Sequence, residues 1–379
     1  MPTTTRDRFV DLLRAGSLLV VVAWHWVFTV VVWKADGPHA SNPLGTTKGL
    51  WVLTWLLQVM PLFFWVGGFV HGRTWKPGSS YVAFLRKRLG RLVAPALVTI
   101  AAVVGGGLLA NSVLGSPPWM GRSIVLLLSP LWFLAVYVAL VFVTPIAAAA
   151  HRRYGEVALV ALAGAAAVAD VLRFRFDVPF ASLLSWVAVW GFAHQLGFFY
   201  ERLVAAPRRV AQCFVLGGLF ALVALTNMGH YPKSMVGVPG EAFSNMAPPT
   251  ICIVALCVLQ VGVVVLVRPA ALRLLDRERP SRVVDWMSAN GMSLYLWHGV
   301  GFAATYVVVR AIGVTVPGTT TAAWWLQRPL WAIAPAVAMY PLLRASLRPW
   351  RRSSTRSPLQ GTAASISTTT QRQPVSSAA

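Results

Sequence analysis

Acidic residues are scarce in this chain. Asp and Glu number 11 among 379 residues, against 33 Lys and Arg, and charged residues make up only 12%. A soluble globular domain carries about 25%. With 57% hydrophobic residues and a mean hydropathy of +0.64, the composition excludes an ordinary water-soluble fold and points to a polytopic membrane protein of one domain. No two carboxylates lie deep in an apolar run. Acids such as Asp36, Asp170, Glu201 and Asp285 fall at the edges of apolar runs or in loops, so paired-carboxylate chemistry is not expected. Cysteine is also sparse. Cys213, Cys252 and Cys257 lie inside apolar runs and form no C-x-x-C pair, so neither a metal site nor a disulfide framework is expected. No internal repeat is evident.

What the chain has is long apolar runs. Ten candidate spans cover roughly 12–33, 49–71, 92–114, 123–149, 156–172, 180–200, 210–227, 248–267, 288–311 and 323–345, each near the roughly 20 residues a bilayer-crossing helix needs. The fold class expected is an all-α membrane bundle of about ten transmembrane helices, formed by residues 1–350. The net charge of +22 sits in short loops between these runs, which argues against a nucleic-acid partner. With the N-terminus inside, 25 of the 33 Lys and Arg fall on the cytoplasmic side, and this bias sets both termini in the cytoplasm. Residues 351–379, rich in Ser, Thr, Gln and Pro, are expected to be a disordered tail. The loop from Asn227 to Pro248 is the longest on the opposite side. It is either a cover for a substrate entrance or a plain connector.

Within the first span, Asp11, Arg14 and His25 form one helical stripe. Asp11 and Arg14 are three residues apart and share a face. Arg14 and His25 are eleven apart, about three turns and about 16 Å along the axis. A histidine at bilayer depth is a functional-site candidate. The competing reading is a packed histidine bonded to a neighbouring helix. His194 and His298 also lie at depth, and His71 closes the second span.

Two further segments carry polar groups in a pattern. Arg86, Lys87, Arg88 and Arg91 concentrate four cations at the cytoplasmic mouth of the third span. Arg88 and Arg91 share a stripe with Phe84 and Pro95, whereas Arg86 and Lys87 point elsewhere. Arginines at i, i+3 can clamp a phosphate with planar, charge-assisted bonds, although a topogenic cluster facing lipid headgroups has the same composition. The run N-G-M-S-L-Y-L-W-H-G, from Asn290, places His298 near mid-depth, comparable to His25. In the second span, Gly67 and Gly68 allow another helix or a ligand to approach closely.

Taken together, these segments resemble the acyltransferase-3 family of integral membrane acyltransferases. Arg14 and His25 are similar to its R-x10-H motif, and Arg88 and Arg91 to its R-x-x-R. L-W-F-L at Leu131–Leu134, which contains Trp132, resembles its W-F-L segment. G-M-S-L-Y-L-W-H resembles its late S-x-x-Y-L-W-H segment, onto Ser293, Tyr295 and His298. Where many members carry Ser-Gly in the second span, this chain has Gly67-Gly68. The resemblance implies a multi-pass enzyme of the inner (cytoplasmic) membrane. It would move an acyl group, acetyl foremost, from acyl-CoA as co-substrate to a hydroxyl-bearing acceptor. The acceptor would be a cell-envelope glycan, a lipid or a small natural product, and no bound cofactor is implied. His25 would act as general base or take the acyl group transiently. Arg14, Arg86, Lys87, Arg88 and Arg91 would hold the donor. Asp11, Trp132, Ser293, Tyr295 and His298 would support the acceptor side. Partners implied are membrane lipid and, with no soluble domain expected after the last span, a separate envelope protein that handles the acceptor. A secondary transporter with mid-membrane histidines is the alternative class.

Overall fold

The structure, a computed structural model, describes the backbone of residues 7–354 and side chains through 345. The tail expected at 351–379 lies, from residue 355 on, outside the described residues. Helices dominate in this order: α1 (Arg8–Val27), α2 (Val52–Leu57), α3 (Met60–Thr74), α4 (Tyr81–Val113), α5 (Met120–Leu128), α6 (Trp132–Tyr154), α7 (Glu156–Phe176) and α8 (Ala181–Gly197). They continue as α9 (Tyr200–Ala205), α10 (Arg208–Asn227), α11 (Ile251–Leu275), α12 (Glu278–Ala311), α13 (Ala322–Leu326) and α14 (Arg328–Ser354). Among the described residues, eight helical stretches are long and apolar enough to cross a membrane.

The fold departs from an all-α bundle after α1. The first span was expected to run to Trp33, but the helix ends at Val27 and the chain enters a hairpin, β1 (Val30–Lys34) paired antiparallel with β2 (Gly37–Ser41). The reason is local. Thr29 to Val32 is a run of β-branched residues, which pack well on a pleated surface and lose side-chain freedom in a helix. Gly37 takes φ +118, a conformation open to glycine. The hairpin is tethered to α5 through His39. Arg122 Nη2 donates to His39 Nδ1 (3.0 Å), so His39 Nε2 carries the hydrogen and donates to Asp36 (2.8 Å). That bond holds the Asp36 carboxyl below the usual carboxylate range. The Asp36–His39 bond therefore contributes at neutral pH and is lost as pH falls through that depressed value.

Two other expected spans are broken helices. The second divides into α2 and α3 at Gln58–Val59, just before Pro61, which has no backbone donor. The carbonyls freed there are satisfied by Gln260, whose Nε2 donates to Trp55 O (3.1 Å) and Gln58 O (3.0 Å). The fourth divides into α5 and α6 at the 3-10 turn Ser129–Leu131. Irregular backbone at membrane depth persists where protein partners cover it.

The core is centred on α3, with Phe64 buried against Trp190, Trp65 against Tyr200 and His71 against His194. α4, α6 and α7 turn apolar side chains such as Leu97, Ile146 and Val160 outward, as lipid-facing helices do. α3 and α8 meet with almost no gap. A Cβ at Gly68 would lie 1.8 Å from His194 O, and one at Gly197 would lie 2.1 Å from Trp65 O. The glycines at 67 and 68 thus serve different ends, since a Cβ at Gly67 would meet the Tyr137 ring instead (2.9 Å). Gly68→Ala is expected to cost about 1–3 kcal/mol by overpacking, because the atoms in the way are backbone. Gly16→Ala, with nothing within 4 Å, is the control. Thermal unfolding of the two variants in detergent checks this, and equal melting would show that α3 and α8 can separate without penalty.

Candidate active site

α1, α3, α4, α6 and α12 surround a cleft of about 770 Å3. Its lining includes Arg14 and Arg91 at one end, His25 deeper in, and Asn42, Gln58 and Gly237 beyond His25. Among the described residues, the two arginines are the only Lys, Arg, Asp or Glu on that lining. α1 sets the spacing, since Arg14 and His25 lie about 16 Å apart along its axis. The long loop of residues 228–250 contributes Val236, Gly237 and Met246 to the far end. Asn42 Nδ2 on the hairpin side holds Gly237 O (2.8 Å). Of the two readings of that loop, the structure favours the cover over the plain connector.

His25 is half-buried and bonded across to α12. His25 Nδ1 lies 3.1 Å from His298 Nε2, and His298 Nδ1 lies 2.5 Å from the Tyr295 carbonyl. A carbonyl only accepts, so His298 Nδ1 carries a hydrogen. With both rings neutral, His298 Nε2 is then the acceptor and His25 Nδ1–H the donor. His25 Nε2 is then left with its lone pair, on a ring that lines the cleft. Tyr295 ties this pair to the break in the fourth span, because its hydroxyl donates to Pro130 O (2.5 Å). Trp26 Nε1 donates to His298 O (2.9 Å), a second link between α1 and α12. Trp132 restarts the helix after that break and lines the cleft beside Phe133.

The cationic end is less uniform than the sequence implies. α4 starts at Tyr81, capped by Ser80, so the whole basic cluster is helical and its four cations face different ways. Arg91 lines the cleft, and Arg86 and Lys87 are exposed and do not. Arg88 Nη2 donates to Thr74 Oγ1 (2.7 Å) and Val70 O (3.4 Å), at the C-terminus of α3. That bond is a helix-end cap of the kind cations favour. Arg88 also lines a small side niche of about 30 Å3 with Arg14, Gly67 and Tyr137. Asp11 is buried and Ser293 half-buried, and neither lines the cleft.

Some residues at the site were not singled out from the sequence. Tyr137 lines both cleft and niche between Arg14 and Arg88. It sits four residues after Phe133 on one face of α6, which is the signal that could have found it. Arg328 Nη1 donates to Val27 O (3.2 Å), an end carbonyl of α1, while its guanidinium stacks 3.8 Å from the Trp324 ring. It holds the end of the helix that carries His25. His71 Nδ1 and His194 Nε2, 3.0 Å apart, form a second buried pair. This pair lies off the cleft lining. Among the described residues, no three His, Cys, Asp or Glu converge as metal ligands.

A membrane-embedded helical bundle with an arginine-flanked cleft and an imidazole on its lining is the class of protein defined so far. Residues 7–344 match the sequence profile of the acyltransferase-3 family, described as an acyltransferase domain. The chain therefore belongs to that family and is a multi-pass membrane acyltransferase. No curated protein and no solved structure matches it.

Proposed function

We propose that the protein is an O-acyltransferase of the inner (cytoplasmic) membrane. It takes an acyl group, acetyl foremost, from cytoplasmic acyl-CoA and transfers it to a hydroxyl of a cell-envelope glycan, lipid or small natural product. The observation that carries this reading is one cleft holding arginines at one end and an imidazole with a free lone pair farther in. The phosphates of acyl-CoA would lie against Arg91 and Arg14, with the Tyr137 hydroxyl beside them. The pantetheine arm would lie along the aromatic wall of Phe63 and Phe133 toward His25. There Nε2 takes the proton of the acceptor hydroxyl as its oxygen attacks the thioester carbonyl. The C–S bond breaks, the ester is formed, and the proton passes from His25 to the departing thiolate. Atoms and charges balance without a metal or a redox partner.

In this reading α8, at 17 residues, and α14 add to the eight stretches long and apolar enough to cross, which makes ten spans with both termini cytoplasmic and puts the arginine end inside. The basic bias then sets the orientation.

The donor end supplies the test. Arg91→Ala and Arg14→Ala are each expected to weaken acyl-CoA binding about tenfold or more, because a hydrogen bond to a charged group contributes about 1.5–3 kcal/mol. Arg91→Lys should recover only part, for want of the planar fork. Arg88→Ala should also lower the melting temperature, since it removes the cap on α3. Calorimetric titration of purified variants with acyl-CoA measures this. Unchanged donor affinity in both the Arg91 and Arg14 variants would sink the reading of that end.

A further inference from the structure

Beyond His25 the cleft changes character. Toward the arginines its lining is cationic. Toward the hairpin and the 228–250 loop it has no charged side chain at all. Of the polar side chains on that far wall, Asn42, Thr54 and Gln58 are already engaged within the protein, which leaves the hydroxyls of Thr29 and Ser41. Asn42 donates to Gly237 O and accepts from Leu44 N. Thr54 donates to Trp51 O and accepts from Met235 N. Gln58 accepts from Met60 N and donates to Met246 Sδ. Apart from those two hydroxyls, what remains open is apolar and aromatic. Trp24 and Phe28 flank His25 on α1 with ring centroids 4.6 Å apart, and behind the lining Trp325 meets Phe28 edge-on at 6.4 Å. Leu57, Val59, Val236 and Met246 complete the surface.

A charged acceptor would meet no charged side chain on this wall. A glycan would lose hydration at many hydroxyls and find few groups free to replace it, at a cost for each unpaired polar group buried. An apolar body carrying one hydroxyl loses little, and gains from burial against the aromatic rings. From this we infer that the acceptor is an uncharged, mainly apolar alcohol, either a membrane lipid or a hydrophobic small molecule, seated along Trp24 and Phe28 with its hydroxyl at His25 Nε2. This rests on the acyltransferase reading above and narrows its acceptor to one class.

The test uses the full-length protein in nanodiscs of zwitterionic lipid, with acetyl-CoA and a thiol-release readout confirmed by mass spectrometry of the product. Four acceptors are compared: a diacylglycerol in the bilayer, a polycyclic alcohol added from solution, a neutral oligosaccharide and a uronate-containing one. Acetylation of one or both apolar alcohols, at least a hundredfold above either oligosaccharide in kcat/KM, is the expected result. The first two arms separate a lipid from a diffusible acceptor. In addition, Trp24→Ala should raise KM for the apolar alcohol about tenfold and leave KM for acetyl-CoA unchanged, with Trp24→Phe close to wild type. Acetylation of either oligosaccharide at a comparable rate would overturn the proposal and leave the acyltransferase reading standing. So would normal acetyl-CoA binding with no transfer to either apolar alcohol. Failure to bind acetyl-CoA at all would overturn both.

Discussion

His25→Ala is expected to lower acyl transfer by at least about a hundredfold, the lower bound of what a general base contributes. Affinity for acyl-CoA should change little, because Arg14, one of the two arginines proposed to hold the phosphates, lies about three helical turns away on α1. The two quantities are measured separately on the purified variant, transfer by thiol release and affinity by titration. The half-buried ring lines the cleft, so its removal leaves space next to an existing opening rather than a void in the core. The variant should therefore fold. Transfer near the wild-type rate would reduce His25 to a helix–helix contact. Lost acyl-CoA binding with normal melting would move His25 into the donor site. Substrate flux across the membrane without acylated product in the wild type would point to a transporter.

The second large effect is expected at His298. Its role in the geometry is to accept the His25 Nδ1 hydrogen and so keep Nε2 as the free base. His298→Leu can accept nothing, which leaves the His25 tautomer and ring angle unset. A loss of about 10–100-fold in kcat is expected, the scale on which removing the outer partner of a working imidazole is felt at metal sites. His298→Gln keeps a side-chain carbonyl that can accept the same hydrogen, and should recover a large part of the rate. Gln can also donate its amide N–H to Tyr295 O, so thermal unfolding of both variants is measured beside kcat, and a purely structural role would make the two losses run in parallel. Equal kcat values in the two, measured at saturating acyl-CoA, would remove His298 from the chemistry. Acyl-CoA affinity should be unaltered in both.

These two histidines also mark how far the sequence could be read. The R-x10-H stripe on α1 and the placing of His298 near the same depth follow from helical rise and hydropathy alone, both of which are local. That His25 and His298 bond to each other, across 273 residues, depends on how α1 and α12 are rotated about their axes. Nothing in either segment states that rotation. The same holds for the arginines. Their count and i, i+3 spacing are legible. Yet Arg88 turns to cap α3 while Arg91 faces the cleft, because the end of α3 at Thr74 lies beside one and not the other.

The breaks in the helices were harder to read, for a reason of energy. Hydropathy is blind to a turn inside an apolar run. The interruptions at Gln58–Val59 and Ser129–Leu131 are tolerable because Gln260 and Tyr295, remote in sequence, satisfy the freed carbonyls. The hairpin after Val27 was legible in principle, from the β-branched run ending in Asp36-Gly37, but the apolar length outweighed it.

By itself, then, the sequence determined the class of solvent, the helical membrane character and the family. All of these depend on composition and short-range periodicity. Only the tertiary structure decided which nitrogen of His25 is free, that Tyr137 stands between Arg14 and Arg88, and that the cleft is charged at one end and neutral at the other. Those depend on helix rotation and approach. Close contacts such as Gly68 on the His194 carbonyl set them, between residues far apart in the chain.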